Sequence, residues 1–276
     1  MRDDAAPTIR QPRAMGEIAV AAQYRDGASR LRNLRQAGCA KALTPRHDGD
    51  ECLAVTINTA GGLTGGDRLD ISGEADAGAR LAMTTQAAER AYRAQPGEIA
   101  EVSVRLSADS GGRIGWLPQE TILFDGCALR RRIEVDLAPD ATLLAVEACV
   151  LGRAAMGEVV TEGIFEDQWR VRRDGALVYA DALRLSGDIR RTVENPAALG
   201  GAGAFASICL IGPQSTVDPL LAPARKAIGE TGGASQPRPG VLAARLVARN
   251  GFELRRALIP VLGVLRERPL PAVWTY

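Results

Sequence analysis

Four acidic residues lie in glycine-rich or apolar segments, where a carboxylate has the chemistry of a weak cation site: Asp67, Glu120, Asp125 and Glu158. A carboxylate among apolar residues must be ion-paired, hydrated or metal-bound, because burying an isolated charge costs several kcal/mol. Oxygen ligands hold Ni²⁺ or Zn²⁺ weakly, so a site built from them would pass such an ion on more readily than store it. Internal pairing is the alternative, with three arginines as the expected partners: Arg68, Arg153 and Arg184.

The glycine-rich segment before Asp67 looks like a phosphate-binding loop but lacks the residues that such loops need. Residues 61–66 contain two Gly-Gly pairs, and Asp67 and Arg68 follow directly. A Walker loop has Lys-Ser or Lys-Thr at this point, and a dinucleotide fingerprint runs into a helix, whereas residues 69–71 alternate like a strand. The acidic exit would repel phosphate. A nucleotide- or phosphate-handling enzyme is therefore the weaker interpretation, and a cation or the N–H groups of a partner fit the loop better.

Few other residues have the surroundings that catalysis requires. The single histidine, His47, lies in a polar stretch typical of an exposed turn, where it is either solvated or a metal ligand beside three acids. The five cysteines are scattered without a C-x-x-C pair, so we expect them to be reduced and buried: Cys39, Cys52, Cys127, Cys149 and Cys209. No G-x-S-x-G motif occurs, and no cysteine has a base nearby in sequence. Hydrolase chemistry is therefore not favoured.

The composition indicates a cytoplasmic protein of one domain. The 276 residues are 46% hydrophobic and only 4% aromatic, so the core must consist mostly of Ala, Val, Leu and Ile. With 34 basic and 33 acidic residues, the formal charge of +1 does not point to nucleic acid or to an anionic membrane. Neither a signal-peptide core nor a run of about 18 apolar residues occurs. We expect one domain over residues 1–276, with residues 1–15 as a flexible arm.

The acidic segments must be positioned by β-structure, which the sequence predicts up to about residue 190. Residues 101–106 and 132–137 alternate polar and apolar side chains, as strands with one buried face do. A turn-plus-strand segment at residues 76–81 returns 33 positions later at 109–114, and more loosely at 140–143. Such a period favours a β-helix-like stack in which each unit buries its face on the next. A two-sheet sandwich is the alternative.

The last third of the chain has the patterns of helices. Asp218 and Pro219 form a cap and a first helical position, which predicts a helix over residues 218–229. A second helix is predicted over residues 241–250, with Gly251 as its stop. A third is predicted over residues 252–268, interrupted by Pro260. We expect these helices to pack on the β-structure, and one of them to face a partner.

Four sequence blocks carry a resemblance to a known family. They are, in chain order, NTAGGLTGGDRL (residues 58–69), MTTQAAERAYR (83–93), WLPQETILFDG (116–126) and GRAAMGE (152–158). With these blocks in this order, the chain resembles the UreD (UreH) family of urease accessory proteins. Residues 27–31 and 272–274 also resemble the ends of family members, so the resemblance covers nearly the whole chain.

The resemblance implies a mainly β, β-helix-like fold with a few helices near the C-terminus, and a protein that is not an enzyme. Family members act as scaffold and nickel chaperone in urease maturation. They bind UreF, which recruits the GTPase UreG, and the assembly docks on apo-urease. Nickel passes through the accessory protein to the urease active site, and no cofactor is bound permanently. A structural adaptor without a metal role is the alternative.

The resemblance also assigns residues to the nickel route. The acids in the matching blocks are the candidates for its lining: Asp67, Glu120, Asp125 and Glu158, with Thr84 and Thr85 as polar wall. Their expected role is weak, sequential coordination of a hydrated Ni²⁺ ion. The chain departs from the family pattern at Glu89 and Arg90, where a Thr-Lys-like pair is expected, so the local charge differs there.

Overall fold

Strands dominate the computed structural model, which describes residues 12–45, 49–153 and 156–275. Their bounds in chain order are β1 (Met15–Arg25), β2 (Ala28–Gly38), β3 (Ala40–Leu43), β4 (Cys52–Asn58), β5 (Arg68–Ala75), β6 (Arg80–Thr85), β7 (Glu89–Ala91), β8 (Ala100–Ala108), β9 (Arg113–Leu117), β10 (Thr121–Leu123), β11 (Ala128–Leu137), β12 (Thr142–Leu151), β13 (Glu162–Arg173), β14 (Ala176–Asp188), β15 (Ala204–Ile211), β16 (Gly232–Arg238) and β17 (Val241–Ala248). The helices are α1 (Ile189–Glu194), α2 (Gln214–Val217), α3 (Leu221–Ile228) and α4 (Gly251–Leu265), with 3-10 turns at Asp218–Leu220, Gly229–Thr231 and Ala272–Trp274. The described helices thus follow β14, near the C-terminus, as predicted.

Parallel pairing of equivalent strands from successive coils builds two sheets. In the seven-stranded sheet, β1, β5, β8, β11 and β13 are parallel neighbours; in the ten-stranded sheet, β4, β6, β9 and β12 are. Antiparallel strands close both ends, with β2 and β14 on the first sheet, and β3 at one end and β15, β17 and β16 at the other end of the second. This is the predicted β-helix-like stack, and it replaces the sandwich alternative.

The sequence repeat corresponds to the turns that join the two sheets. Leu81 pairs in parallel register with Ile114, and Ile114 pairs with Leu143, which is the alignment of the repeat. All three side chains are buried between the sheets. The turns stack as well, because the Asp109 N–H donates to the Ala75 carbonyl at 2.9 Å and the following coil repeats this contact. The repeat is therefore confirmed as one coil of the stack.

The ten-stranded sheet is buried on both faces, whereas the seven-stranded sheet is buried on one. One hydrophobic cluster lies between the sheets, and a second lies between the ten-stranded sheet and helices α3 and α4. All eight residues of β15 are accordingly buried, while β11 alternates buried and exposed side chains along most of its length. The five cysteines are free, and all but the half-buried Cys39 are buried, as expected.

The exposed face of the seven-stranded sheet carries a ladder of alternating charges across five strands. Its members, in strand order, are Arg68, Glu101, Arg130, Glu166 and Arg184. The N–O distances between successive members are 2.6, 3.8, 2.7 and 3.4 Å. Each pair contributes about 0–1 kcal/mol at such exposure. Every carboxylate of the ladder lies between two guanidinium groups, so opposite charges face each other in the observed register of the strands and favour it.

One of the three predicted helices is a strand. Residues 241–248 form β17, which pairs antiparallel with β15 and β16. The segment is rich in Ala, Leu and Arg, which favour helices locally, but pairing with the buried β15 overrides that preference. Gly251 is therefore not a helix stop. It is the first residue of α4, and the Asn250 side chain caps this helix by accepting the Glu253 N–H at 2.9 Å.

The other two helix predictions hold with shorter bounds. The 3-10 turn Asp218–Leu220 leads into α3, which ends before Gly229. The predicted interruption at Pro260 is wrong, because helix α4 continues through this residue; it ends at Leu265, so residues 266–268 lie beyond it. In the described ranges, no helix is long and apolar enough to cross a membrane.

The expected arm falls mostly outside the described residues, as does His47. Where the description begins, the chain is already held in place. The Arg13 guanidinium pairs with Glu98, and the Ala14 N–H donates to a carboxylate oxygen of Asp67 at 2.7 Å. Strand β1 starts at Met15.

Candidate functional site

The four sequence blocks lie side by side at one corner of the coil stack. Leu63 forms a parallel bridge to Ala91, Ala91 pairs with Leu123, and Leu123 pairs with Leu151. Backbone hydrogen bonds join them, from Leu63 N–H to the Arg90 carbonyl at 2.7 Å and onward across the coils. We call this region, with residues 58–69, 89–93, 121–126, 151–153 and 156–158, the block corner. The fold therefore brings segments about thirty residues apart onto one surface.

The glycine-rich loop is a tight turn of the block corner. A Cβ atom on Gly62 would lie 2.2 Å from the ring of Tyr92, so only glycine fits this approach. Asp67 is 5% exposed, and its two carboxylate oxygens accept the backbone N–H groups of Ala14 and Thr64 at 2.7 and 2.8 Å. The loop thus uses its acid to hold its own backbone.

Two of the four candidate acids line one open cleft at the block corner. The cleft has a volume of about 640 Å³, and its lining comprises Tyr92, Arg93, Phe124, Asp125, Arg153, Glu158 and Val159. The Tyr92 and Phe124 rings pack edge to face, with centroids 4.8 Å apart, and the Arg153 guanidinium lies 4.5 Å from the Phe124 centroid. The cleft therefore combines an aromatic wall with carboxylates.

Asp125 ties three segments of the chain together. One carboxylate oxygen accepts the Thr161 N–H and hydroxyl, both at 2.8 Å, and the Glu162 N–H at 3.2 Å. The other oxygen pairs with Arg93. Partial burial raises the pKa of Asp125, but the hydrogen bonds from Thr161 and Glu162 and the charge of Arg93 outweigh it, so the pKa lies below its usual value.

Asp125→Ala is expected to lower the free energy of unfolding by about 1–3 kcal/mol at neutral pH, because it leaves the Thr161 and Glu162 N–H groups without their acceptor and removes one of the two carboxylates that pair with Arg93. The lowered pKa means that this stabilisation is present above the pKa of the unfolded chain and is lost as the pH falls through that of the folded chain. Urea denaturation of wild type and variant at several pH values measures this. The exposed Asp136→Ala serves as control, and an equal difference at acid and neutral pH would contradict the ionised-carboxylate explanation.

Glu158 is paired within its own loop. Its Oε2 accepts the Arg153 Nε–H at 2.8 Å and the Arg153 backbone N–H at 3.1 Å. The hydrogen bond from Arg153 lowers the pKa of Glu158 below its usual value. The predicted pairing with Arg153 is thus confirmed, whereas Arg68 and Arg184 pair with acids of the exposed ladder instead.

Glu120 lies at the next bend of the coil, between β9 and β10, and Thr84 and Thr85 lie at the end of β6 in the neighbouring coil. The buried Thr84 hydroxyl donates to the Leu117 carbonyl at 2.6 Å. The Thr85 hydroxyl donates to the Ala87 carbonyl at 2.9 Å and accepts the Gln119 N–H at 2.8 Å. The Glu120 carboxylate lies 3.8 Å from an Arg255 nitrogen, and this is its only ion pair with the described residues. It is the least constrained of the four acids.

The structure therefore distributes the four acids over three places. Asp125 and Glu158 share the cleft, Asp67 lies in the glycine-rich turn, and Glu120 lies at the neighbouring bend. Among residues 12–45, 49–153 and 156–275, no group of three or more His, Cys, Asp or Glu side chains is placed to hold a metal ion. Transient nickel coordination by these acids stays a prediction.

Sequence reasoning missed a buried ion cluster between the sheets, formed by Arg131, Glu147 and Asp167. The three residues are 4%, 3% and 6% exposed. Arg131 donates to both carboxylate oxygens of Asp167, at 3.0 and 2.9 Å, and pairs with Glu147. The sequence does indicate that Arg131 is buried, because it lies two residues from Leu129 and from Ile133 in β11, and alternate residues of a strand face the same side.

Glu89, where the chain departs from the family pattern, is also largely enclosed. Its carboxylate accepts the Asn58 side-chain amide at 3.1 Å and the Arg90 N–H at 2.9 Å. Burial raises the pKa of Glu89. Glu89 therefore links the first and second blocks through its hydrogen bond with Asn58, and its carboxylate is not an exposed charge.

Comparison with known proteins assigns the family. The family described as "UreD urease accessory protein" matches residues 14–275. A urease accessory protein UreD of Agrobacterium fabrum is 45% identical over 99% of this chain and 95% of its own length. A protein of the same name from Rhizobium leguminosarum bv. viciae is 48% identical over 98% of both chains, and one from Roseobacter denitrificans is 46% identical over 98% of this chain and 97% of its own. The chain therefore belongs to the UreD family of urease accessory proteins.

Proposed function

We propose that this chain is a scaffold in urease maturation that binds UreF, and UreG through it, docks on apo-urease and passes Ni²⁺ to the urease active site. It has no catalytic activity of its own, binds nickel transiently and acts in the cytoplasm. The observation that carries this proposal is the block corner. The segments that carry the family resemblance form one continuous surface there, although they are far apart in sequence.

The scaffold role is supported by exposed apolar side chains at the block corner. Met156 is 75% exposed, Val159 is 59% exposed and Tyr92 is 37% exposed, and all three belong to or adjoin the blocks. Exposed apolar groups close together on a soluble protein are typical of a surface that contacts another protein. The block corner is therefore the surface where we place a partner.

The nickel role is supported by the charge state of the acids in the cleft. Asp125 and Glu158 have pKa values below the usual range, so both are ionised at neutral pH and attract a cation. Each is also held by an arginine, Arg93 or Arg153, which competes with the ion. Carboxylates that are ionised but already paired bind a dication weakly, and weak binding suits transfer rather than storage.

The test is the nickel content of urease produced together with the accessory proteins. Glu120→Gln combined with Glu158→Gln removes two negative charges and keeps the shape of both side chains. We expect urease nickel to fall severalfold, while UreF still co-purifies with the variant. Glu134→Gln on the exposed sheet face is the matched control and should leave nickel loading unchanged.

The adaptor alternative makes the opposite prediction for the same double variant. If urease is fully loaded with nickel and the double variant still binds UreF, the nickel role is contradicted and the chain is a structural adaptor. The nucleotide-binding alternative predicts saturable binding in a nucleotide titration. We expect none, because Asp67 holds the backbone of the glycine-rich turn at the point where a phosphate would lie.

A further inference from the structure

The buried ion cluster contains two carboxylates and one guanidinium. Arg131 and Asp167 come from β11 and β13 of the seven-stranded sheet, and Glu147 comes from β12 of the ten-stranded sheet. The cluster thus joins the two sheets across the core. With both acids ionised, it would carry one uncompensated negative charge in the protein interior, which is strongly unfavourable.

Among the described residues, no other group around the cluster supplies a balancing charge. The neighbours are the Cys149 thiol on β12, the Tyr179 phenol on β14, the Thr121 hydroxyl on β10, the Trp116 indole on β9 and the Trp169 indole on β13. Burial raises the pKa of the Cys149 thiol and of the Tyr179 phenol, so both are neutral at physiological pH. The charge must therefore be balanced within the cluster or by an ion from outside.

The hydrogen bonds distinguish the two acids. Asp167 accepts two bonds from Arg131 and one from the Trp169 indole N–H at 3.1 Å. Glu147 has fewer donors: its Oε1 accepts the Trp116 indole N–H at 2.8 Å, and its buried Oε2 pairs closely with one Arg131 nitrogen. Donors stabilise the ionised form, so Asp167 keeps its charge more readily than Glu147 does.

We propose that the buried ion cluster binds one proton, carried by Glu147, and that the loss of this proton leaves an unbalanced negative charge between the sheets. The protonated group is neutral, so Arg131 and Asp167 then form a balanced pair. Arg131 also donates to the Thr121 hydroxyl at 3.2 Å, which joins the cluster to the block corner. Protonation of Glu147 therefore acts on the link between the sheets and on the third block.

The linkage has a definite sign. Burial raises the pKa of Glu147 from 4.5 to about 7, so the folded chain binds the proton more tightly than the unfolded chain does. The stabilisation is complete below the unfolded pKa and is lost as the pH rises through the folded one. The unfolding equilibrium constant of the wild type should rise by roughly 300-fold across this window, relative to that of Glu147→Gln.

Infrared spectroscopy of the full chain detects the proton directly. At about pH 6, the wild type should show a protonated-carboxyl stretch that is absent from Glu147→Gln, and this band should disappear with a midpoint near neutrality. Glu147→Gln mimics the protonated side chain and should fold. Glu166→Gln, in the exposed ladder, is the matched control and should retain the band.

A second variant tests whether charge balance is the cause. In Asp167→Asn, Arg131 is left with Glu147 alone, so Glu147 should be ionised and the band should vanish although Glu147 is present. Identical wild-type and Glu147→Gln spectra at about pH 6 would overturn the proposal. A band that persists in Asp167→Asn would overturn it as well, since burial alone would then explain the proton.

Discussion

Replacing Arg131 with methionine is expected to lower the free energy of unfolding by about 3–5 kcal/mol. The substitution keeps most of the side-chain volume but leaves Glu147 and Asp167 facing each other without a cation. Both residues are almost fully buried, so water cannot replace the lost guanidinium. Urea denaturation at neutral pH, monitored by tryptophan fluorescence, measures the change.

Arg132→Met is the matched control for this prediction, since Arg132 is the next residue of β11 and lies on the exposed face. It should change the free energy of unfolding by no more than about 0.5 kcal/mol. Adding Glu147→Gln and Asp167→Asn to Arg131→Met should recover part of the loss, because no charge is then buried. A loss below about 1 kcal/mol for Arg131→Met alone would contradict the description of the cluster as a buried charge group.

Trp274→Ala is expected to cost about 3–5 kcal/mol of unfolding free energy. The indole is 2% exposed in the cluster beneath α4 and donates its N–H to the Leu117 carbonyl at 3.1 Å. The Arg255 guanidinium lies 5.2 Å from its ring centroid. Removing the ring leaves a cavity and takes one donor from the Leu117 carbonyl, which keeps the Thr84 hydroxyl.

Hydrogen exchange gives this prediction a local readout besides the global denaturation curve. The amides of Leu117 and Gln119 should exchange faster in Trp274→Ala, because the segment loses the indole hydrogen bond and packing from the C-terminal turn. Phe252→Ala is the control, since Phe252 is 70% exposed near the start of α4. If both variants lose the same stability, the insertion of Trp274 is not what holds the C-terminal segment on the sheet.

Local patterns predicted the coil, because the coil repeats. The recurrence of residues 76–81 at 109–114 identified the turn and, through Leu81 and Ile114, the parallel register between β6 and β9. Strand β17 could not be predicted in the same way. Its residues suit a helix as well as a strand, and only its neighbour β15 and the covering helix α4 decide between the two.

The candidate site was predictable in composition but not in its pairing. The resemblance identified the blocks, and Arg153, one of the three arginines expected to pair with the acids, pairs with Glu158 in the same loop. The partner of Asp125 is Arg93, which comes from the preceding coil, and the partner of Glu120 is Arg255, which comes from α4. Which residues of neighbouring coils meet depends on the path of the backbone at each bend, and the residue types do not reveal that path.

The alternating ladder on the seven-stranded sheet has a consequence for the number of coils. Deleting the coil that contributes β8 would bring Arg68 opposite Arg130, and like charges would then face each other in neighbouring strands. Deleting two adjacent coils, those of β8 and β11, would instead place Arg68 opposite Glu166 and restore the alternation. The alternating charges therefore stay paired only when an even number of coils is added or removed, so this fold should tolerate insertion or deletion of coils best in pairs.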